Sequence, residues 1–203
     1  MRRRTLILVV VAAVGVAAVL VGLHRSTRRA STAAPPASAV SLVGDSLNVG
    51  VEPYLRDRLP RWTINADDEV GRPTSIGLDH LRAAASSLAP YVVISLGTND
   101  PVADVADFRR AVEDAVGLAG PHRCVVWTAI HREGAAYEPF NEALRSVAAR
   151  NRNLRVVEWG AMVDGTPNYL AADGIHGSPS GYAARAKGIV TAMRGCYDDG
   201  VVS

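Results

Sequence analysis

The chain has 203 residues, 48% of them hydrophobic and 21% charged, enough for one α/β domain with a sizeable buried core plus a short appendage. The formal net charge of +2 conceals an asymmetry. Residues 1–30 hold six of the 22 basic residues and no acid, so residues 31–203 set 16 basic side chains against 20 acidic ones and carry −4. A mildly acidic domain has no electrostatic reason to seek nucleic acid, which excludes that class of partner.

The appendage comes first in the chain. Arg2-Arg3-Arg4 precedes an uncharged apolar run from Thr5 to Leu23, which His24-Arg25 and Arg28-Arg29 follow. At helical rise that run nearly crosses the hydrocarbon core of a bilayer. Two readings are open, a retained signal-anchor helix and a cleaved signal peptide. The anchor is favoured because the run is long for a signal peptide and its far flank is basic rather than small and polar. Arginines balance on the two sides, so orientation rests on the tendency of a short basic N-terminus to stay inside, which sends the rest of the chain to the extracytoplasmic side. The basic flanks suit anionic lipid headgroups. Residues 1–30 are thus assigned to the flanks and span, residues 31–39 to a Pro/Ala/Ser linker, and residues 40–203 to the folded domain.

Within the domain, Ala39–Val43 is an apolar run expected to form a buried strand, and Asn48–Leu59 a helix. Trp62–Ala66 is a second short strand leading to Gly71. Ser75–Leu88 shows helical spacing through Ile76, Leu78, Leu81 and Ala85. Tyr91–Leu96 is a near-continuous apolar run with β-branched residues, as in a strand covered on both faces. A helix is expected over Val105–Leu118, a strand over Cys124–Ile130, a helix over Tyr137–Arg150 and a strand over Leu154–Trp159. The last helix spans Pro179–Met193, with Ser178 as N-cap and Pro179 at the first helical position. Strands alternating with helices predict a three-layer α/β/α domain whose parallel sheet has about five strands joined by right-handed crossovers.

The residues with chemical potential lie at the predicted strand ends. Ser46, in Val43-Gly44-Asp45-Ser46-Leu47, follows the first strand, where open α/β sheets hold their sites. A serine hydroxyl becomes a nucleophile only beside a base that a third group orients. Asp173-Gly174-Ile175-His176 supplies both: His176 as base, and Asp173 three residues earlier to orient it. His24 belongs to the membrane flank, and His80, His122 and His131 have no acidic partner at matching spacing. There is no G-x-S-x-G elbow around Ser46, since position 48 is Asn, which argues against an ordinary α/β-hydrolase.

Four separated blocks, Gly44-Asp45-Ser46-Leu47, Gly71-Arg72-Pro73-Thr74, Gly97-Thr98-Asn99-Asp100 and Asp173-Gly174-Ile175-His176, match in order those of the GDSL, or SGNH, serine esterases and acyltransferases, and over Val40–Arg194 the chain resembles that family. The resemblance implies a flavodoxin-like fold, Ser46, His176 and Asp173 as catalytic triad, and an oxyanion hole from the Ser46 N–H, the Gly71 N–H and the Asn99 side chain. It implies an acyl-serine intermediate with no metal and no cofactor. Asp45 is expected to organise the nucleophile turn, a direct chemical role being the alternative, and Arg132-Glu133, at the predicted active edge, to be a solvated loop, with contact to substrate as the alternative.

The expected function is therefore a membrane-anchored, extracytoplasmic serine esterase. Pro167–His176 looks like the corresponding part of SGNH domains acting on acyl groups of cell-envelope polysaccharides, so the substrates considered are acyl esters of small molecules, lipids or glycans. Acyl transfer to a sugar, lysophospholipase or thioesterase activity, and a non-catalytic envelope-binding domain are the alternatives. Two cysteines, Cys124 and Cys196, permit one disulfide in an oxidising compartment, although sequence does not show that they meet.

Overall fold

The computed structural model describes residues 38–202. The predicted membrane span and most of the linker lie outside them, and among the described residues no helix is long and apolar enough to cross a membrane. Five strands, β1 (Ala39–Gly44), β2 (Thr63–Asp68), β3 (Tyr91–Ser95), β4 (Cys124–Thr128) and β5 (Leu154–Val157), form one sheet in the order β2-β1-β3-β4-β5, with every pairing parallel. The helices are α1 (Ser46–Arg58), α2 (Thr74–Ala83), α3 (Val105–Ala119), α4 (Glu138–Ala148), α5 (Trp159–Asp164) and α6 (Pro179–Asp198).

The strands alternate in which face they serve, as a two-residue period requires. Val92, Ile94, Val125 and Trp127 pack with Leu81 of α2, Phe108 and Val112 of α3, and Phe140 and Leu144 of α4. Tyr91, Val93, Cys124 and Val126 face the other way, against Val51 and Leu55 of α1 and Ile189 and Met193 of α6. Continuous apolar runs therefore mark β3 and β4, because each is buried on both sides. Cys124 and Cys196 are joined by a disulfide across 72 residues, tying β4 to the end of α6. By loop-closure entropy a bridge of that span stabilises by about 4 kcal/mol.

The differences from the sequence expectation have local causes. Helix α2 stops at Ala83 rather than Leu88, since Ala84–Ser87 turn instead, with Ser87 N–H and Oγ both bonding the Ala84 carbonyl. Strand β4 ends at Thr128, the Ala129 N–H makes one more bond to the Val157 carbonyl at 2.9 Å, and then the Asn141 side chain satisfies both the N–H and the C=O of Ile130, at 2.8 and 2.9 Å. Trp159 does not extend β5 but starts α5, a short helix whose apolar residues resembled more strand, and a 3-10 turn follows at Pro167–Tyr169. Helix α1 starts at Ser46, two residues earlier than expected, because Asp45 caps it.

Candidate active site

Ser46 is the first residue of α1, immediately past the carboxyl end of β1. Asp45 holds it there. Its N–H donates to the Ser95 carbonyl at 3.0 Å, and its Oδ1 accepts the Leu47 N–H at 2.9 Å, the N-capping bond that a helix start requires. Asp45 is fully buried, and that burial raises its carboxyl above the usual range.

His176 reaches Ser46 from the loop before α6. Leu170 bridges Gly177, and the Ala171 N–H donates to the His176 carbonyl at 2.8 Å, closing the loop into a tight unit. Within it Gly174 has φ +69°, a left-handed conformation costly to other residues. Asp173 Oδ1 accepts the N–H groups of Ile175 and His176, both at 2.9 Å, which leaves Oδ2 to meet His176 Nδ1 at 2.7 Å. His176 Nε2 lies 2.8 Å from Ser46 Oγ. With a carboxylate on Nδ1, the proton is assigned to that nitrogen, and Nε2 is free to accept from the serine. Hydrogen bonds from the His176 side chain and from the two backbone N–H groups hold the Asp173 carboxyl down at about 2.

The expected oxyanion groups are placed less directly. Asn99 Nδ2 donates to Asp45 Oδ2 at 3.2 Å and to the Arg72 carbonyl at 3.3 Å, so its amide lies against the residue before Ser46 and the residue after Gly71. Both bonds are longer than the usual 2.9–3.0 Å. Gly71 is exposed in a turn at φ +79°, and its N–H makes no hydrogen bond to the described residues. The glycine and asparagine blocks are clamped together by Thr74, whose N–H and Oγ1 donate to the two oxygens of Asp100. Tyr137 Oη donates to the Thr98 and Asp100 carbonyls at 3.0 and 2.9 Å, fixing the Asn99 loop from the other side.

Arg132 and Glu133 are exposed, as expected of a solvated loop, and the loop is also tied down: Arg132 Nη1 donates to the Thr98 carbonyl at 3.4 Å and the Glu133 N–H to the Gly174 carbonyl at 2.9 Å, joining the third block to the fourth. His80 has no acid at triad spacing, but the fold brings it a distant one, Asp67, at 2.8 Å from Nδ1. That pair comes from the packing of β2 beside α2, which no local spacing reports. The described residues contain no grouping of three or more His, Cys, Asp or Glu side chains suited to a metal ion.

Sequence reasoning passed over a second carboxylate behind the nucleophile helix. Asp68, at the end of β2, accepts from Asn48 Nδ2 at 3.0 Å, while Asp68 Oδ2 and Asn48 Oδ1 are buried without a hydrogen-bond partner among the described residues. Burial is the main cause that pushes the Asp68 carboxyl up to about 6, with the Asn48 bond and Arg72 opposing and Glu52 and Asp45 adding to the rise. A folded value above the unfolded 3.8 means that this group's contribution to stability is full below about pH 4 and is lost as pH rises through about 6. Asp68→Asn is therefore expected to stabilise the protein by on the order of 1–3 kcal/mol at pH 8 and by much less at pH 4. Urea unfolding at the two pH values checks this, and an equal difference at both would rule the titration out.

No family model matches the chain. The peptidoglycan O-acetyltransferase OatA of Listeria monocytogenes is 29% identical over 157 residues, which cover 74% of this chain. Those residues are 23% of the relative, so the chain spans about a quarter of that protein's length. Among solved structures, the C-terminal catalytic domain of Streptococcus pneumoniae peptidoglycan O-acetyltransferase A, with a methylsulfonyl adduct, superposes with a TM-score of 0.62 at 20% identity, covering 81% of this chain and 94% of that one. A member of the lipolytic protein G-D-S-L family from Veillonella parvula superposes with a TM-score of 0.57 at 15% identity, covering 79% and 96%.

Proposed function

We propose that this chain, which carries the fold of the GDSL/SGNH hydrolases, is a serine enzyme that moves O-acyl groups of cell-envelope glycans through an acyl-serine intermediate. One observation carries the reading: the unbroken series Ser46 Oγ, His176 Nε2, His176 Nδ1, Asp173 Oδ2, with separations of 2.8 and 2.7 Å, at the carboxyl end of the sheet. A non-catalytic binding domain would have no use for that geometry.

The steps follow from the atoms. His176 Nε2 takes the Ser46 proton as Oγ adds to the acyl carbonyl, and the Asp173 carboxylate stabilises the resulting imidazolium. The oxyanion is met by the Ser46 N–H at the N-terminus of α1, by the Asn99 amide and by the Gly71 N–H. His176 then gives its proton to the leaving alcohol as the carbon–oxygen bond breaks, which leaves the acyl group on Ser46. In the second half His176 takes a proton from the incoming hydroxyl, and the acyl–Oγ bond breaks as the proton returns to Ser46. Water as acceptor makes the enzyme an esterase, and a sugar hydroxyl makes it a transferase.

The similarity to OatA favours acetyl as the acyl group and makes transfer the second reading. The apolar run of residues 5–23 with its arginine flanks supports an enzyme tethered on the extracytoplasmic side of a membrane. The test is a panel of acetyl and longer acyl esters with and without chitooligosaccharide acceptors, followed by mass spectrometry of the sugars. Turnover of short esters is expected, with acetylated oligosaccharide appearing if transfer operates. No turnover of any ester by the folded protein would end the proposal.

A further inference from the structure

Arg185 sits in the middle of α6, and its side chain is buried in the protein beneath the site. Its relative exposure is 1%, its guanidinium carbon lies 5.2 Å from the centre of the Trp159 ring, and burial pulls it down to about 10. Such a cation is costly unless something uses its charge. Nη2 donates to Thr128 Oγ1 at 2.6 Å and to Ser95 Oγ at 2.8 Å, two hydroxyls at the carboxyl ends of β4 and β3. Nε and Nη1 have no hydrogen-bond partner among the described residues.

Ser95 passes the interaction on. Its Oγ donates to Asp45 Oδ1 at 3.4 Å, and Asp45 in turn accepts the Leu47 N–H on Oδ1 and the Asn99 amide on Oδ2. A cation, a hydroxyl and a carboxylate thus form one series in which each bond polarises the next. The series ends on the first turn of α1 and on Asn99. Other groups facing Asp45 do not supply a positive charge: Tyr182, also on α6, is neutral, and Asp68 on β2 is a second acid. Arg185 is the cation that the described residues set against Asp45. A protonated Asp45 would carry a hydrogen where it now accepts one, and the hold on Asn99 or Leu47 would loosen.

We propose that Arg185 is a positioning residue of the acyl-transfer site, which through Ser95 keeps Asp45 a charged acceptor and so holds the start of α1, with Ser46, and the Asn99 amide in one arrangement. The proposal rests on Ser46 being the nucleophile. It assigns Arg185 no contact with substrate.

The test measures fluorophosphonate labelling rate at Ser46, kcat and KM on an acetyl ester, and urea unfolding for the full chain and for Arg185→Met, Arg185→Lys, Ser95→Ala, Asp45→Asn and the Arg185→Met/Asp45→Asn pair. Arg185→Met is expected to slow labelling and kcat roughly 10–100-fold with KM nearly unchanged, because the loss is in positioning rather than binding. Arg185→Lys, which retains the charge, should recover most of that loss. The double variant should be no slower than Asp45→Asn alone and more stable than Arg185→Met, since both members of a buried pair are then gone. Equal loss in the Met and Lys variants, or independent effects of the Arg185 and Asp45 changes, would overturn the proposal. Should Arg185→Met not fold, Ser95→Ala carries the test: slower labelling of a stable protein supports the series, and labelling at the wild-type rate overturns it. A wild-type chain that is not labelled at Ser46 refutes the nucleophile reading itself, and the positioning role with it.

Discussion

Ser46→Ala is expected to abolish covalent labelling by a fluorophosphonate and to lower kcat on acyl esters by roughly four orders of magnitude or more. The hydroxyl is the atom to which the acyl group would be attached, and no other serine oxygen is hydrogen-bonded to a histidine nitrogen among the described residues. His176→Ala should cost about as much, because the Ser46 proton then has no acceptor, and the double variant should be little worse than either single one. Asp173→Asn should cost less, roughly 10²–10⁴-fold, since nucleophile and base both stay while the imidazole loses the carboxylate that fixes its tautomer. Full esterase activity in a folded Ser46→Ala protein would refute the serine mechanism.

Asn99→Ala is expected to lower kcat by roughly 10²–10³-fold and leave KM nearly unchanged. Its two amide hydrogens are held by Asp45 and the Arg72 carbonyl through long bonds, so the donor is oriented in the ground state and exchanges one weak bond for the oxyanion. A donor of this kind gains most as negative charge develops on the carbonyl oxygen, which is why the loss should fall on kcat. Steady-state kinetics on a short acyl ester decides the matter. A rise in KM at constant kcat would make Asn99 a substrate-binding residue.

Much of this site was legible before any fold was known, because its signals are local. The Asp173 carboxylate and the His176 ring are three residues apart, and the turn that joins them needs only Gly174 at positive φ and two backbone N–H groups on Asp173 Oδ1. Ser178 and Pro179 start α6 as their residue types require, and Ser178 Oγ accepts the Gly181 N–H at 3.1 Å. The strand ends that went astray, at Ile130 and Trp159, are places where apolar residues continue past the backbone ladder and a side chain or a short helix takes over their hydrogen bonds. Among the helices, α2 stops where Ala84–Ser87 turn, α1 starts early at the Asp45 cap and α6 runs on past the expected Met193 to Asp198. Hydropathy does not record these changes.

Composition and periodicity by themselves determined the order of the five strands and of every helix but α5, the doubly covered central strands, and the strand ends after which Ser46 and Asn99 follow, since these depend on which residues within a few positions are apolar. Closure of α6 on the sheet decided the rest. It brings His176 to Ser46 across 130 residues, Arg185 to Ser95 across 90, and Cys196 to Cys124 across 72. Such meetings depend on where two buried surfaces come into register. Arg185 shows the difference most sharply: in sequence it is one more arginine on a helix, and only the packing of that helix over β3 and β4 makes it the counter-charge of Asp45, because a buried charge is defined by the atoms around it and not by its neighbours in the chain.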